Sequence, residues 1–154
     1  MRTTFGSNGW KHLAAWPVIA AMAVLNGVVR EKVYLDSIGE EAAHRVSTFP
    51  LIAAIFGVAF FVAWRWPLRT ARQAWAMGLT WVAITEAFEF GLGRLEGRSW
   101  GELFHEYNLF AGRIWILALV ATFTAPAVAW HLFRPGRESN RSARPGGANY
   151  QALP

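Results

Sequence analysis

The sequence contains no cysteine, which excludes disulfides, thiolate metal sites and thiol redox chemistry. Charge is scarce as well. Asp, Glu, Lys and Arg make up 16% of the chain, against about 25% in ordinary soluble proteins. No phosphate-binding loop, nucleophile elbow or zinc-protease motif occurs anywhere, so the common frames for nucleotide hydrolysis, acyl transfer and metal-assisted proteolysis are missing. What is present in excess is apolar. Hydrophobic residues reach 54%, with 9 Trp and 11 Phe in 154 residues, more aromatic surface than a soluble core of this size needs. A formal net charge of +5 would suit nucleic acid, but the basic residues sit at the ends of apolar runs instead of forming a stripe among aromatics. That pattern makes the lipid bilayer the expected partner, and nucleic acid not one.

Four apolar runs organise the chain: 13–29, 46–64, 74–92 and 109–132. A spanning helix needs roughly 20 mostly apolar residues. In lipid the backbone must satisfy itself, so helix is the reading for all four. The expected fold is therefore an all-α membrane protein, a four-transmembrane-helix bundle over 1–133. The tail, 134–154, is rich in Gly, Pro, Ser, Asn and Arg and lacks apolar periodicity; disorder is expected there. Arg2, Lys11 and the Ala21-Met22-Ala23 triplet imitate a secretory signal, but the apolar run continues to Val29, so an uncleaved span is expected.

Orientation follows from the basic residues. The N-terminal segment, the loop around Arg65, Arg69 and Arg72, and the tail hold Arg and Lys with Glu138 as their one acid. The other two loops mix Arg30, Lys32, Arg45, Arg94 and Arg98 with a larger number of carboxylates. Both termini are expected on the cytoplasmic side of the membrane. Ser99-Trp100-Gly101-Glu102 fits a capping box and predicts a short amphipathic helix in the second outer loop, carrying Trp100, Leu103, Phe104 and Tyr107 on one side. Ser37 and Glu40 repeat that spacing before the second span.

Depth gathers the polar residues. Glu86 stands six residues before the outer end of the third run, roughly 9 Å inside it at about 1.5 Å per residue. Glu89 is one turn shallower. Asn26 and Arg30 close the first run at that level, His44, Ser47 and Thr48 open the second, and Tyr107, Asn108 and Arg113 lead into the fourth. An ionisable group at the bilayer centre costs roughly 2.5–3.5 kcal/mol, so such groups should face one another, Glu86 and Glu89 against Arg30 and Arg113. The candidate ligand-binding cluster is therefore Asn26, Arg30, His44, Ser47, Glu86, Glu89, Tyr107, Asn108 and Arg113, with no catalytic residue, metal or cofactor expected. Three readings compete. One is an outer-facing pocket for a small ligand, lipid headgroup or ion. Another is a structural or assembly subunit, in a homo-oligomer or a larger membrane complex, whose charges only fix helix packing. The third is a membrane enzyme on a lipid-linked substrate, with Glu86 or Glu89 as base and Arg113 as anion clamp. The pocket is the working reading. His12 and His131, at the opposite ends of their runs, are expected at the interface in preference to holding haem.

Asn26-Gly27-x-x-Arg30-Glu31, Ala43-His44 with Ser47-Thr48, Glu86-x-Phe88-Glu89-Phe90, Ser99-Trp100 and Glu106-Tyr107-Asn108-Leu109-x-x-Gly112-Arg113-x-Trp115 resemble the pattern of a family of small bacterial four-span membrane proteins. The likeness covers roughly residues 25–115. Where Glu106 stands here, Asp is frequent in that family. The resemblance implies a four-span fold and a set of polar residues, and no reaction.

Overall fold

The computed structural model describes residues 7–105 and 114–133; these are 89% helical, with no strand. The tail, the beginning of the fourth apolar run, and Tyr107, Asn108 and Arg113 lie outside the described residues.

Helix α1 (Gly9–Val29) passes through a π-helical turn (Arg30–Tyr34) directly into α2 (Leu35–Ile38). Gly39 stops it. Its φ of 78° and ψ of 164° belong to a backbone region open essentially to glycine alone. Helix α3 (Glu40–Arg65) starts from that turn, with the Ala43 N–H donating to the Gly39 carbonyl at 2.9 Å. Ser37 does not cap it, contrary to its spacing. The Ser37 hydroxyl donates backward to the Val33 carbonyl at 3.0 Å, because the preceding helix runs through Ser37 and the glycine supplies the turn.

Helix α4 (Ala71–Leu95) begins at Thr70, whose hydroxyl accepts from the Gln73 N–H at 3.2 Å. It ends on Gly97, with φ of 83°. There the Gly97 and Arg98 N–H groups donate to the Arg94 and Gly93 carbonyls at 3.1 and 3.0 Å, the paired bonds of a Schellman turn. Helix α5 (Trp100–His105) carries the expected capping box: the Ser99 N–H and hydroxyl donate to Glu102 Oε2 at 2.7 and 2.9 Å, and the Glu102 N–H donates to Ser99 Oγ at 3.3 Å. Helix α6 is Trp115–Phe133.

Helix α6 packs most extensively, between α3 and α4; α1 lies on α3 and makes a sparser contact with α4. Helix α6 is inside-out by the standards of water. The buried stripe of α6 is Ala118, Ala121, Thr122, Ala125, Pro126 and Ala129, while Leu117, Val120, Phe123, Val128 and Leu132 are exposed. Small residues inside and large apolar ones outside is the pattern of helices that approach closely in lipid; a soluble helix would bury the large ones. Helix α1 repeats it in part, burying Gly9 and Ala15 along with Ile19 and His12, while Val18, Met22 and Leu25 stay exposed. Gly9–Ile38, Glu40–Arg65 and Trp115–Phe133 are three helices long and apolar enough to cross a membrane. The third expected run is also a helix of the expected extent, but less apolar, since Glu86, Glu89, Thr80 and Thr85 interrupt it.

Candidate functional site

A cavity of about 1040 Å³ opens at the end where α1 finishes and α3 begins, a volume at the upper end of the range for small-molecule sites. Its layers follow the helix axes. The floor is apolar, from Ile19, Ala23, Leu51, Ile55, Ala118 and Leu119. One to two turns nearer the mouth stand Asn26, Arg30, His44 and Glu89, all half-buried. The exposed rim holds Glu31, Lys32, Glu40, Glu96, Arg98 and Glu102.

Arg30 opens the π-helical turn, which packs against the start of α3. Its Nη1 lies 3.1 Å from His44 Nδ1. A guanidinium only donates, so Nδ1 accepts and the imidazole proton sits on Nε2. Ser47 and Thr48 face elsewhere. Both are buried, and both hydroxyls donate to the His44 carbonyl, at 3.1 and 2.9 Å. Ser47 is thus satisfied by its own helix and does not line the cavity.

On α4 the wall is made by Thr85, Phe88, Glu89, Leu92 and Gly93; Glu86 is half-buried off that wall. Thr85, which depth alone did not single out although it neighbours Glu86, ties α4 to α1: its hydroxyl accepts from the Trp16 indole N–H at 3.0 Å. Trp16 in turn meets Phe88 edge-on, with ring centroids 5.9 Å apart. The Glu89 carboxylate makes no hydrogen bond or ion pair among the described residues. Among the described residues, the charges within its electrostatic reach are Glu86, Arg98, Arg30 and Glu96. The expected pairing of Arg30 with a glutamate is not formed among the described residues: Arg30 is turned to His44, across the α1–α3 contact. The ion pairs of the described residues, Arg45–Glu41 at 3.4 Å and Arg98–Glu96 at 3.6 Å, are on the exposed surface.

Helix α5 closes part of the mouth. Leu103 is buried against Gly93, where a Cβ would collide with the leucine methyl, and Trp100 and Phe104 both contact the Phe90 ring. Ser99 holds the Glu102 carboxyl below the usual carboxylate range through its N–H and hydroxyl. His44 and His105 do not enter any metal-binding group of three among the described residues.

A second polar group, at the opposite end, is of another kind. His12 is only 1% exposed, not interfacial as expected. Its Nε2 donates to the Trp66 carbonyl at 2.9 Å, and its own carbonyl accepts from the buried Trp81 indole at 3.0 Å. Asn8 donates to the Pro67 carbonyl at 3.1 Å, and Lys11 and Arg65 each sit 5.1 Å from the Trp66 ring. These contacts clamp the start of α1 to the α3–α4 turn. Nothing in the apolar runs signals them, since they depend on which carbonyl the fold brings to the histidine.

No family model matches the chain, and neither does any curated protein or solved structure. The function has to be argued from the cavity.

Proposed function

We propose that the chain is a four-span protein of a bacterial inner membrane, with α1, α3, α4 and α6 crossing the bilayer and both termini cytoplasmic, and that its outer-facing cavity binds an amphiphilic ligand. The observation that carries this reading is the cavity's layering: an apolar floor, then the half-buried Asn26, Arg30, His44 and Glu89, then an exposed charged rim. A purely structural charge cluster would pair its members, and Glu89 is paired with none of the described residues. The motif resemblance to small four-span bacterial proteins agrees with the topology. On it α4 is the third span in chain order, its polar residues turned to the bundle interior, where intramembrane charges belong. Helix α5 would then lie at the outer surface.

Two measurements test this. Reporters fused before Lys11 and after Arg137 should read cytoplasmic, and one between Arg94 and Ser99 external; a cytoplasmic signal from the last would invert the topology. Ala23→Trp, filling the floor with an indole, should abolish binding of an amphiphile while leaving the protein folded. Unchanged binding in that variant would dispose of the pocket.

A further inference from the structure

Among the described residues two half-buried charges line the cavity, and they bear on the ligand's headgroup, an inference that rests on the proposed binding role. Arg30 on the first helix and Glu89 on the fourth are both half-buried in one cavity. They are within electrostatic reach of each other, yet form no ion pair among the described residues. A charge out of water is costly unless it is paired. A purely anionic headgroup would pair Arg30 and repel Glu89; a purely cationic one would do the reverse. A headgroup carrying both signs satisfies the two walls together. We infer that the cavity takes a phospholipid with a zwitterionic primary-amine headgroup of the ethanolamine type, its phosphate on Arg30 and its ammonium on Glu89.

Two further features fit a lipid in particular. The α1–α4 seam is looser than the α1–α3, α3–α6 and α4–α6 contacts, and the cavity opens along it: Val24 is 51% exposed, Phe88 38% and Leu92 42%, and all three line the wall. Acyl chains can leave through that seam into the bilayer while the headgroup stays inside. The rim also carries more carboxylates than cations, with Glu31, Glu40, Glu96 and Glu102 beside Lys32 and Arg98. A primary ammonium has three N–H donors to share among such acceptors; a quaternary choline has none. The ethanolamine headgroup should therefore be preferred over choline.

Native mass spectrometry of the full chain, in detergent with equimolar ethanolamine, choline and glycerol phospholipids of identical chains, tests the assignment. The ethanolamine lipid should be retained over the other two by about tenfold, a difference well within what one charge-assisted pair supplies. Glu89→Gln should erase that preference, and Glu41→Gln, a change on the exposed surface, should leave it intact. Arg30→Gln should weaken retention of all three lipids by about tenfold without changing their order, since all three carry a phosphate; this variant keeps the assignment testable if Glu89→Gln fails to fold. A wild-type preference for the glycerol lipid, or a preference that survives Glu89→Gln, would overturn the headgroup assignment and leave the pocket standing. Displacement of the lipid by an equal concentration of soluble phosphoethanolamine would show that the ligand is not a lipid. Retention that Ala23→Trp does not touch would instead remove the pocket itself.

Discussion

Both ends of the helical fold hold polar side chains and use them in opposite ways. At the closed end, His12, Trp81 and Asn8 each reach a backbone carbonyl of another segment, and Met77 and Trp81 are completely buried. Helix α4 there crosses α6 so closely that a Cβ on Gly78 would run into the Phe123 carbonyl. At the open end the polar side chains surround a cavity, and Gly27 and Gly91 have nothing within 4 Å of where a Cβ would stand. A polar residue at membrane depth therefore says little by its presence. Its partner decides: a carbonyl of the same fold marks a clamp, and an open volume marks a site.

The largest expected effect breaks the closed end by one methyl group. Gly78→Ala forces a Cβ against backbone, which cannot swing aside as a side chain can, and overpacking of this sort costs about 3 kcal/mol or more. Gly91→Ala in the same helix meets open space and should be neutral or stabilising by up to about 1 kcal/mol through helix propensity. Thermal unfolding of both variants in detergent decides the matter. Equal losses would mean that the two ends are packed alike.

The next contrast pits one histidine against the other. His12→Leu leaves the Trp66 carbonyl without its buried donor and should destabilise by about 1–3 kcal/mol. His44→Leu removes the acceptor for Arg30, but the guanidinium then faces a cavity that water or ligand can enter, so the loss should be smaller, about 1 kcal/mol or less. If His44→Leu is the more damaging change, the open end is a packing device, and the assembly reading regains ground over the pocket.

The outcome for the sequence reading divides along the same line. Position along each helix axis was legible: the runs 46–64 and 74–92 lie inside Glu40–Arg65 and Ala71–Leu95. Rise per residue likewise put Asn26, Arg30, His44 and Glu89 at a common level, where they surround one cavity. The Ser99 capping box was legible because its bonds are local. Rotation about the axis was not. Ser47 shares the depth of the cluster but turns onto its own helix, and Glu86 lies off the cavity wall that Thr85 and Glu89 share. The first run gave no sign that its helix continues to Ile38 through a π turn, because the charged residues 30–36 end the apolar signal and not the helix. The His12 clamp needed knowledge of which helices meet. Of the three residues expected to lead into the last helix, Tyr107, Asn108 and Arg113, the described residues include none.

The smallest effect concerns α5 alone and sharpens the comparison by acid. The closed-end segments 7–12 and 64–73 carry no Asp or Glu, and all carboxylates of the described residues lie toward the open end. Glu102 is bonded within its own turn: the Ser99 N–H and hydroxyl favour its charged form and hold its titration below the ordinary range, which for a free glutamate centres near about 4.3. The sign follows from the linkage between protonation and folding. A carboxyl whose folded value is depressed stabilises the ordered state in full above the unfolded value, and that contribution disappears as pH falls through the folded one. Protection of the α5 amides against hydrogen exchange, corrected for intrinsic rates, should therefore be constant from about pH 6 to 5 and decline below about pH 4. Glu102→Gln keeps an acceptor for Ser99 but cannot titrate, so its protection should start lower and stay flat over that interval. A wild-type profile as flat as the variant's would show that the capping carboxylate does not hold α5 over the mouth. The Leu103 contact with Gly93 would then be what keeps the helix in place.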